Sequence, residues 1–118
     1  MTVKRSILVC DDEEGIRESL KLILEKDFNI TFAETGDDAI KAMKASPIDL
    51  VILDLKMPKK DGLETLRELK KINPSARVVI ATGYKSVDTA QEAIKLGASD
   101  YIVKPFDREK IKKVVQGL

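Results

Sequence analysis

Five short apolar runs alternate with five segments of helical periodicity, and this alternation strongly limits the folds open to the chain. The runs, rich in β-branched residues, are Ser6–Cys10, Asn29–Ala33, Leu50–Leu53, Arg77–Ala81 and Tyr101–Val103. Near-continuous apolarity, as in Leu50–Leu53, indicates strands that are covered on both faces. Strands that alternate with helices over short connections predict right-handed crossovers and a parallel sheet.

In the intervening segments, apolar residues recur every three or four positions, as in amphipathic helices. The stripes are Ile16, Leu20, Ile23 and Leu24; Ala39, Ile40 and Met43; Leu63, Leu66, Leu69 and Ile72; Ala90, Ala93 and Ile94; and Ile111, Val114, Val115 and Leu118. Asp61, with Glu64 three residues later, predicts one helix start, and Ser86 is a second predicted N-cap. Gly97 is predicted to follow a helix end.

The length of 118 residues suits one domain over residues 1–118. An eight-fold barrel of about 250 residues would not fit. We therefore expect an α/β, flavodoxin-like, doubly wound fold with a five-stranded parallel sheet and five helices. Its predicted strand order is 2-1-3-4-5, which places the ligand-binding crevice between the first and third strands.

Composition gives no reason to expect binding to nucleic acid or to a membrane. The net charge is +1, and the basic residues are spread along the chain. No apolar run approaches the roughly 18 residues of a membrane span, and Met1 to Ser6 does not begin a signal peptide. The single cysteine, Cys10, lies in an apolar run and is expected in the core. A lone cysteine suits a reducing compartment, so we expect a cytoplasmic location.

Five polar residues end or follow the predicted strands: Asp11, Asp12, Asp54, Thr82 and Lys104. Because the carboxyl ends of parallel strands share one edge of the sheet, these side chains are expected to converge. Three carboxylates with a lysine and a hydroxyl form a site for a hard divalent cation and an anion. Mg²⁺ fits such a site, since it takes oxygen ligands and retains water molecules that a phosphate can replace.

Each of these residues also has an ordinary structural interpretation. An acidic first helical turn would account for Glu13 and Glu14, but less well for Asp11 and Asp12, because adjacent carboxylates repel. Asp54 could begin a turn. The fourth-strand threonine could simply be a β-branched strand residue, and the lysine after the fifth strand could be solvated. Their expected convergence favours the functional interpretation.

Several kinds of phosphate chemistry are excluded by what the chain lacks. It contains no histidine, so any phosphohistidine must belong to a partner. The first predicted strand is followed by Asp-Asp-Glu-Glu-Gly rather than a glycine-rich phosphate loop, and no G-x-x-x-x-G-K-[ST] motif is present. Nucleotide binding is therefore not expected.

With these residues in place, the chain resembles the receiver domain of two-component response regulators over essentially its whole length. The resemblance rests on order and spacing. Its elements are the pair Asp11-Asp12, the D-L-K-M-P-x-x-D-G stretch of residues 54–62, Thr82-Gly83, the G-A-S-D-Y stretch of residues 97–101, and Lys104-Pro105-Phe106.

The resemblance implies a phosphorelay role for the site. Asp54 would be the phosphoacceptor, which attacks a phosphohistidine on a sensor histidine kinase or a histidine phosphotransferase. Asp12 would bind Mg²⁺ directly and Asp11 more through water, while the backbone carbonyl of Lys56 would complete the protein's share of the metal site. The Lys104–Pro105 bond could be cis or trans.

The resemblance also implies how the signal leaves the site. Lys104 would hold one phosphoryl oxygen and Thr82 another, and Tyr101 would turn inward as Thr82 moves. An ordinary strand aromatic is the alternative for Tyr101. The output surface would be the fourth helix, fifth strand and fifth helix, with contact positions Val87, Gln91, Lys95, Tyr101, Lys110 and Lys113. It would engage an output domain or a downstream protein, and a homodimer formed on phosphorylation stays open.

On this interpretation the chain is not an enzyme beyond its own phosphorylation and dephosphorylation. Two alternatives remain. A Mg²⁺-dependent phosphohydrolase with an aspartyl nucleophile would need a second aspartate two residues after the first, where this chain has Lys56. A degenerate receiver that binds partners without phosphorylation would not need all five site residues. Direct recognition of nucleic acid is not expected, since the chain offers no recognition-helix segment or basic stripe.

Overall fold

The computed structural model describes residues 4–56, 61–83 and 87–116, in which five strands alternate with five helices. In chain order these are β1 (Arg5–Cys10), α1 (Glu14–Leu24), β2 (Phe28–Ala33), α2 (Gly36–Ala45), β3 (Leu50–Leu53), α3 (Gly62–Ile72), β4 (Arg77–Thr82), α4 (Val87–Lys95), β5 (Asp100–Val103) and α5 (Arg108–Val115). The predicted alternation is confirmed.

The strand boundaries differ from the predicted ones by one residue at four places. Arg5, Phe28 and Asp100 extend the starts of β1, β2 and β5, and Thr82 extends the end of β4. All four pair with neighbouring strands, as in Arg5 with Phe28 and Thr82 with Val103. Pairing uses backbone groups, so a polar residue such as Arg5, Asp100 or Thr82 can still belong to the strand.

The five strands form one parallel sheet in the order β2-β1-β3-β4-β5, as predicted. The chain runs outward from β1 to β2 and then returns across β1 to β3. The connections therefore change direction between β1 and β3. This is the position at which an open parallel sheet leaves a crevice beyond its carboxyl edge.

Helices cover both faces of the sheet. On one face, strand residues pack with α2, α3 and α4 in a buried cluster that includes Leu8, Leu53, Ile80, Met43, Leu66 and Ala93. On the other face, they pack with α1 and α5 in a cluster that includes Ile7, Ile52, Val79, Leu20 and Ile111. All four residues of β3 are buried, which explains their unbroken apolarity.

Local signals account for several helix ends. The Asp61 carboxylate accepts a hydrogen bond from the backbone of Leu63, and Asp61 is the N-cap of α3 as predicted. Gly97 follows α4 with a φ of 110°, a conformation that favours glycine. Two predicted positions, Ser86 as an N-cap and Leu118 in the last apolar stripe, lie outside the described residues.

The longest helices in the described part of the chain, α1 and α3, have 11 residues each. None of the helices described there is long and apolar enough to cross a membrane.

Two glycines at helix starts should respond oppositely to alanine. A Cβ on Gly62 would lie within 2.6 Å of the Leu55 carbonyl oxygen, whereas Gly15 has open space around the corresponding position. We expect Gly62→Ala to lower the free energy of unfolding by about 2–3 kcal/mol through overpacking. Gly15→Ala should raise it by about 0.5 kcal/mol, because it restricts the unfolded chain.

Urea unfolding followed by circular dichroism measures both changes. Equal stability of Gly62→Ala and the wild type would show that the Leu55 backbone moves away from the added methyl group without loss of stability.

Candidate functional site

The carboxyl edge of the sheet gathers the predicted site residues. Asp11 and Asp12 follow β1, Asp54 follows β3, Thr82 is the last residue of β4, and Lys104 follows β5. One carboxylate oxygen from each aspartate lies within 4.8 Å of the others. Lys104 contacts two of the three aspartates, so the structure brings the acidic residues and the lysine together.

Backbone hydrogen bonds fix where these residues leave the sheet. The N–H of Asp54 donates to the Cys10 carbonyl at 2.9 Å, and the N–H of Lys104 donates to the Thr82 carbonyl at 2.9 Å. Each bond extends the strand pairing by one step beyond the strand end. The distances between the site residues are therefore set by the spacing of the paired strands.

In both buried aspartates, one carboxylate oxygen accepts a backbone hydrogen bond and the other contacts the lysine. Oδ1 of Asp11 accepts from the backbone N–H of Glu13 at 2.9 Å, and Oδ1 of Asp54 accepts from the N–H of Lys56 at 3.0 Å. Each Oδ2 faces the Nζ of Lys104, at 2.8 Å from Asp11 and 3.0 Å from Asp54. The backbone thus orients each carboxylate, and the lysine neutralises part of its charge.

Burial makes this neutralisation necessary. The exposed fraction is 3% for Asp11 and 4% for Asp54. Burial raises the pKa of Asp11 above its ordinary 3.8, while hydrogen bonds from Lys104 and from the backbone of Glu13 oppose the rise. For Lys104, burial alone would lower the pKa, but its hydrogen bonds to Asp11, Asp54 and Glu13 prevail and raise it. The lysine therefore stays charged at neutral pH.

The three aspartates fit a hard divalent cation. Carboxylate oxygens are the ligands such ions prefer, and the exposed Asp12 leaves the cluster open toward solvent. Three carboxylates, those of Asp11, Asp54 and Glu13, contact the one ammonium group, and that of Asp12 lies near two of them, so the site retains negative charge that a cation would compensate.

Thr82 and Tyr101 occupy different environments. Thr82 is fully buried at the end of β4. Tyr101 is half-buried on β5, paired with Ile80, and packs against the cluster beneath α2, α3 and α4. The Lys104–Pro105 peptide bond, which the sequence left undecided, is cis.

Glu13 contacts the site, which the sequence pattern did not indicate. Glu13 was explained as an acidic residue of a first helical turn, but its Oε1 lies 3.1 Å from Nζ of Lys104. A possible signal was its place directly after the acidic pair, at the same edge as the lysine. No periodic pattern distinguishes it from Glu14.

Arg17 is a second residue whose position the sequence did not indicate. It lies outside the apolar stripe of α1, yet its side chain is only 17% exposed. Its guanidinium donates to the Asp11 carbonyl at 3.0 Å and pairs with Glu34 at 3.1 Å. Arg17 therefore anchors the turn that carries the acidic pair.

Comparison with known proteins identifies the family. The model of the response regulator receiver domain family matches residues 7–116. The chain belongs to this family. It is a receiver domain of the two-component type, a class that works in phosphorylation-dependent signalling. Within the D-L-K-M-P-x-x-D-G stretch of residues 54–62, residues 57–60 lie outside the described part of the chain.

Relatives of this receiver domain differ in length. The transcriptional regulatory protein ZraR of Salmonella typhimurium is 37% identical over 114 residues, which cover 96% of this chain and 26% of that protein. The chain thus spans about a quarter of that relative. Sporulation initiation phosphotransferase F of Bacillus subtilis is 38% identical over 115 residues, which cover 97% of this chain and 93% of that protein.

Solved structures show the same fold. A CheY-like receiver domain protein from Methanospirillum hungatei matches with a TM-score of 0.92 and 27% identity, over 96% of this chain and 91% of that one. A response regulator from Burkholderia pseudomallei, solved with a phosphorylated aspartic acid, a calcium ion and citrate, matches with a TM-score of 0.89 and 32% identity. That match covers 97% of this chain and 68% of the other.

Replacing Lys104 should show how much the burial of the two carboxylates destabilises this receiver domain when they have no cationic partner. We expect Lys104→Met to lower the free energy of unfolding by about 3 kcal/mol at neutral pH without divalent cations, since Asp11 and Asp54 lose their buried partner. The Asp11 pKa, already raised by burial, should rise further without its lysine hydrogen bond. Folding then favours protonated Asp11, so the loss should shrink as the pH falls from about 7 to about 5.

Urea unfolding in EDTA at both pH values measures this loss. Lys41→Met, on the exposed side of α2, is the control and should change stability by less than about 0.5 kcal/mol. A pH-independent loss in Lys104→Met would indicate that packing, rather than charge, is what the lysine contributes.

Proposed function

We propose that Asp54 accepts a phosphoryl group from a phosphohistidine on a sensor histidine kinase or a histidine phosphotransferase, with residues 1–118 acting as one receiver domain. The observation that carries this proposal is a buried Asp54 carboxylate at the carboxyl edge of the sheet, with the Lys104 ammonium 3.0 Å from its Oδ2. The phosphorylated aspartic acid of the Burkholderia relative supports the same chemistry. The donor histidine belongs to the partner, because this chain has none.

The transfer would depend mostly on positioning and charge neutralisation. An oxygen of Asp54 forms a bond to phosphorus as the phosphorus–nitrogen bond of the donor breaks, and the electron pair leaves on the histidine nitrogen. Lys104 neutralises one phosphoryl oxygen, and the Thr82 hydroxyl donates to another. The backbone N–H of Lys56, 3.0 Å from Oδ1, holds the carboxylate in orientation.

We assign the cation as Mg²⁺, held by Asp11, Asp12, Asp54 and the backbone carbonyl of Lys56. When bound, Mg²⁺ supplies positive charge to the phosphoryl oxygens and compensates the acidic cluster. The aspartates would contribute by fixing the position of this positive charge.

The alternative of a phosphohydrolase acting on separate substrates is not favoured. Its acid/base aspartate would occupy position 56, where the side chain is an exposed lysine. We therefore propose that the chemistry is limited to the domain's own phosphorylation and dephosphorylation, and that it takes place in the cytoplasm. The single cysteine, buried beside Asp11, is compatible with that compartment.

Phosphorylation would be read out on the face formed by α4, β5 and α5. Thr82 lies on β4 and Tyr101 on β5, and these two strands are paired. A movement of the Thr82 side chain would therefore take place close to Tyr101. On α4, Val87 and Ile94 are 73% and 49% exposed. We propose that this face, with Lys110 and Lys113 on α5, engages an output domain, a downstream protein or a second copy of the domain.

The acceptor is tested by incubating the protein with Mg²⁺ and acetyl phosphate and recording its intact mass. We expect a gain of about 80 Da in the wild type and none in Asp54→Ala. The matched control is Asp27→Ala, in the exposed turn between α1 and β2 at the opposite edge of the sheet, which should gain the same mass.

A gain in Asp54→Ala would move the acceptor elsewhere. No gain in any variant, either with acetyl phosphate or with a phosphorylated histidine phosphotransferase, would leave a receiver that binds partners without phosphorylation.

The output face is tested by the amide spectrum of the phosphorylated domain. We expect shifts at the carboxyl edge and also across α4, β5 and α5, because the added charge should bias packing there. Unshifted amides on the outer side of α1 serve as an internal reference. Shifts confined to the surroundings of Asp54 would contradict this output face.

A further inference from the structure

The ammonium group of Lys104 has no donor to spare in this structure. A lysine has three N–H donors. Nζ of Lys104 lies 2.8 Å from Oδ2 of Asp11, 3.0 Å from Oδ2 of Asp54 and 3.1 Å from Oε1 of Glu13. To bind a phosphoryl oxygen, the ammonium must therefore release one of these three carboxylates.

Burial indicates which carboxylate is easiest to release. The side chains of Asp11 and Asp54 are each 4% exposed, and a backbone N–H holds the second oxygen of each. The side chain of Glu13 is 59% exposed. A carboxylate that already faces water loses little on separation, whereas a buried one would lose a charged partner without gaining solvent.

The Glu13 side chain has no role in capping its own helix. Glu13 is the N-cap residue of α1, but its side chain makes no capping hydrogen bond. At the same position of α2, α3 and α5, the side chains of Thr35, Asp61 and Asp107 all accept a hydrogen bond from the helix backbone. The Glu13 carboxylate is instead directed to Lys104.

We propose that Glu13 is a displaceable counter-ion of Lys104, which competes with an incoming phosphoryl oxygen and so discriminates against small anionic phosphodonors. This inference rests on the proposed phosphorylation of Asp54. A small donor binds mainly through its phosphoryl charge and must displace Glu13 by that contact alone. A protein donor has the rest of its docking surface to offset the same displacement.

The test compares three variants in their reaction with acetyl phosphate at saturating Mg²⁺. Glu13→Ala removes the carboxylate but keeps the backbone N–H that orients Asp11. Glu13→Asp keeps the charge on a side chain one methylene shorter. Glu14→Ala removes an equal charge from the next residue, in the first turn of α1, and is the matched control.

We expect the half-saturating acetyl phosphate concentration to fall about two- to fivefold in Glu13→Ala, as for the loss of one exposed ion pair. The maximal rate should change less. Glu13→Asp should follow Glu13→Ala, because contact with Lys104 is lost. Glu14→Ala should resemble the wild type at an ionic strength of about 0.15 M, where charges out of contact are screened.

An unchanged half-saturating concentration in Glu13→Ala would overturn the inference and leave the phosphorylation of Asp54 standing. Equal falls in Glu13→Ala and Glu14→Ala would also overturn it, since general charge would then be sufficient.

If the wild type gains no phosphoryl group, the proposed function fails by itself. A titration with inorganic phosphate, followed at the Lys104 amide by NMR, then decides the inference. Tighter phosphate binding in Glu13→Ala supports competition at the ammonium, and equal binding overturns it.

Discussion

Two buried carboxylates at one edge of a parallel sheet require a cation, and Lys104 supplies it. Its ammonium reaches Asp11 after β1 and Asp54 after β3, while its own backbone continues from β5. One side chain therefore joins three strand ends that are distant in sequence. Because the pairs are short and the three side chains are at most 10% exposed, they hold these strand ends close together. The positive charge that stabilises the buried carboxylates is also suited to binding a phosphoryl oxygen.

The sheet provides the rigidity that this cluster needs. The central strands β1 and β3 are paired on both sides and lie between two helical layers. The backbone bond from Asp54 to the Cys10 carbonyl extends this pairing into the site. The positions of Asp11, Asp54 and Lys104 thus follow from strand register, while the helices are held to the sheet through apolar side chains. Such a division suits a signalling domain, in which a surface can change while the framework of the site keeps its spacing.

The sequence predicted the fold class, the strand order and the convergence of Asp11, Asp12, Asp54 and Lys104, because these follow from apolar periodicity and from the rules of parallel sheets. It did not predict the strand ends at Arg5 and Asp100, where backbone pairing continues under polar side chains. It also did not predict the contacts of Glu13 and Arg17. These depend on the rotamers of long polar side chains, and a polar face carries no periodic signal to mark them. The isomer of the Lys104–Pro105 bond is likewise set by the surrounding structure.

The close approach of Gly62 to the Leu55 backbone ties the start of α3 to the residue beside Asp54. A side chain at position 62 would overlap that backbone, and relief of the overlap would displace either the helix or the end of β3. A displaced strand end would also move Asp54, whose N–H bond to Cys10 belongs to the same extended pairing. The lack of one methyl group therefore lets a helix pack directly against the acidic edge of the sheet without disturbing it.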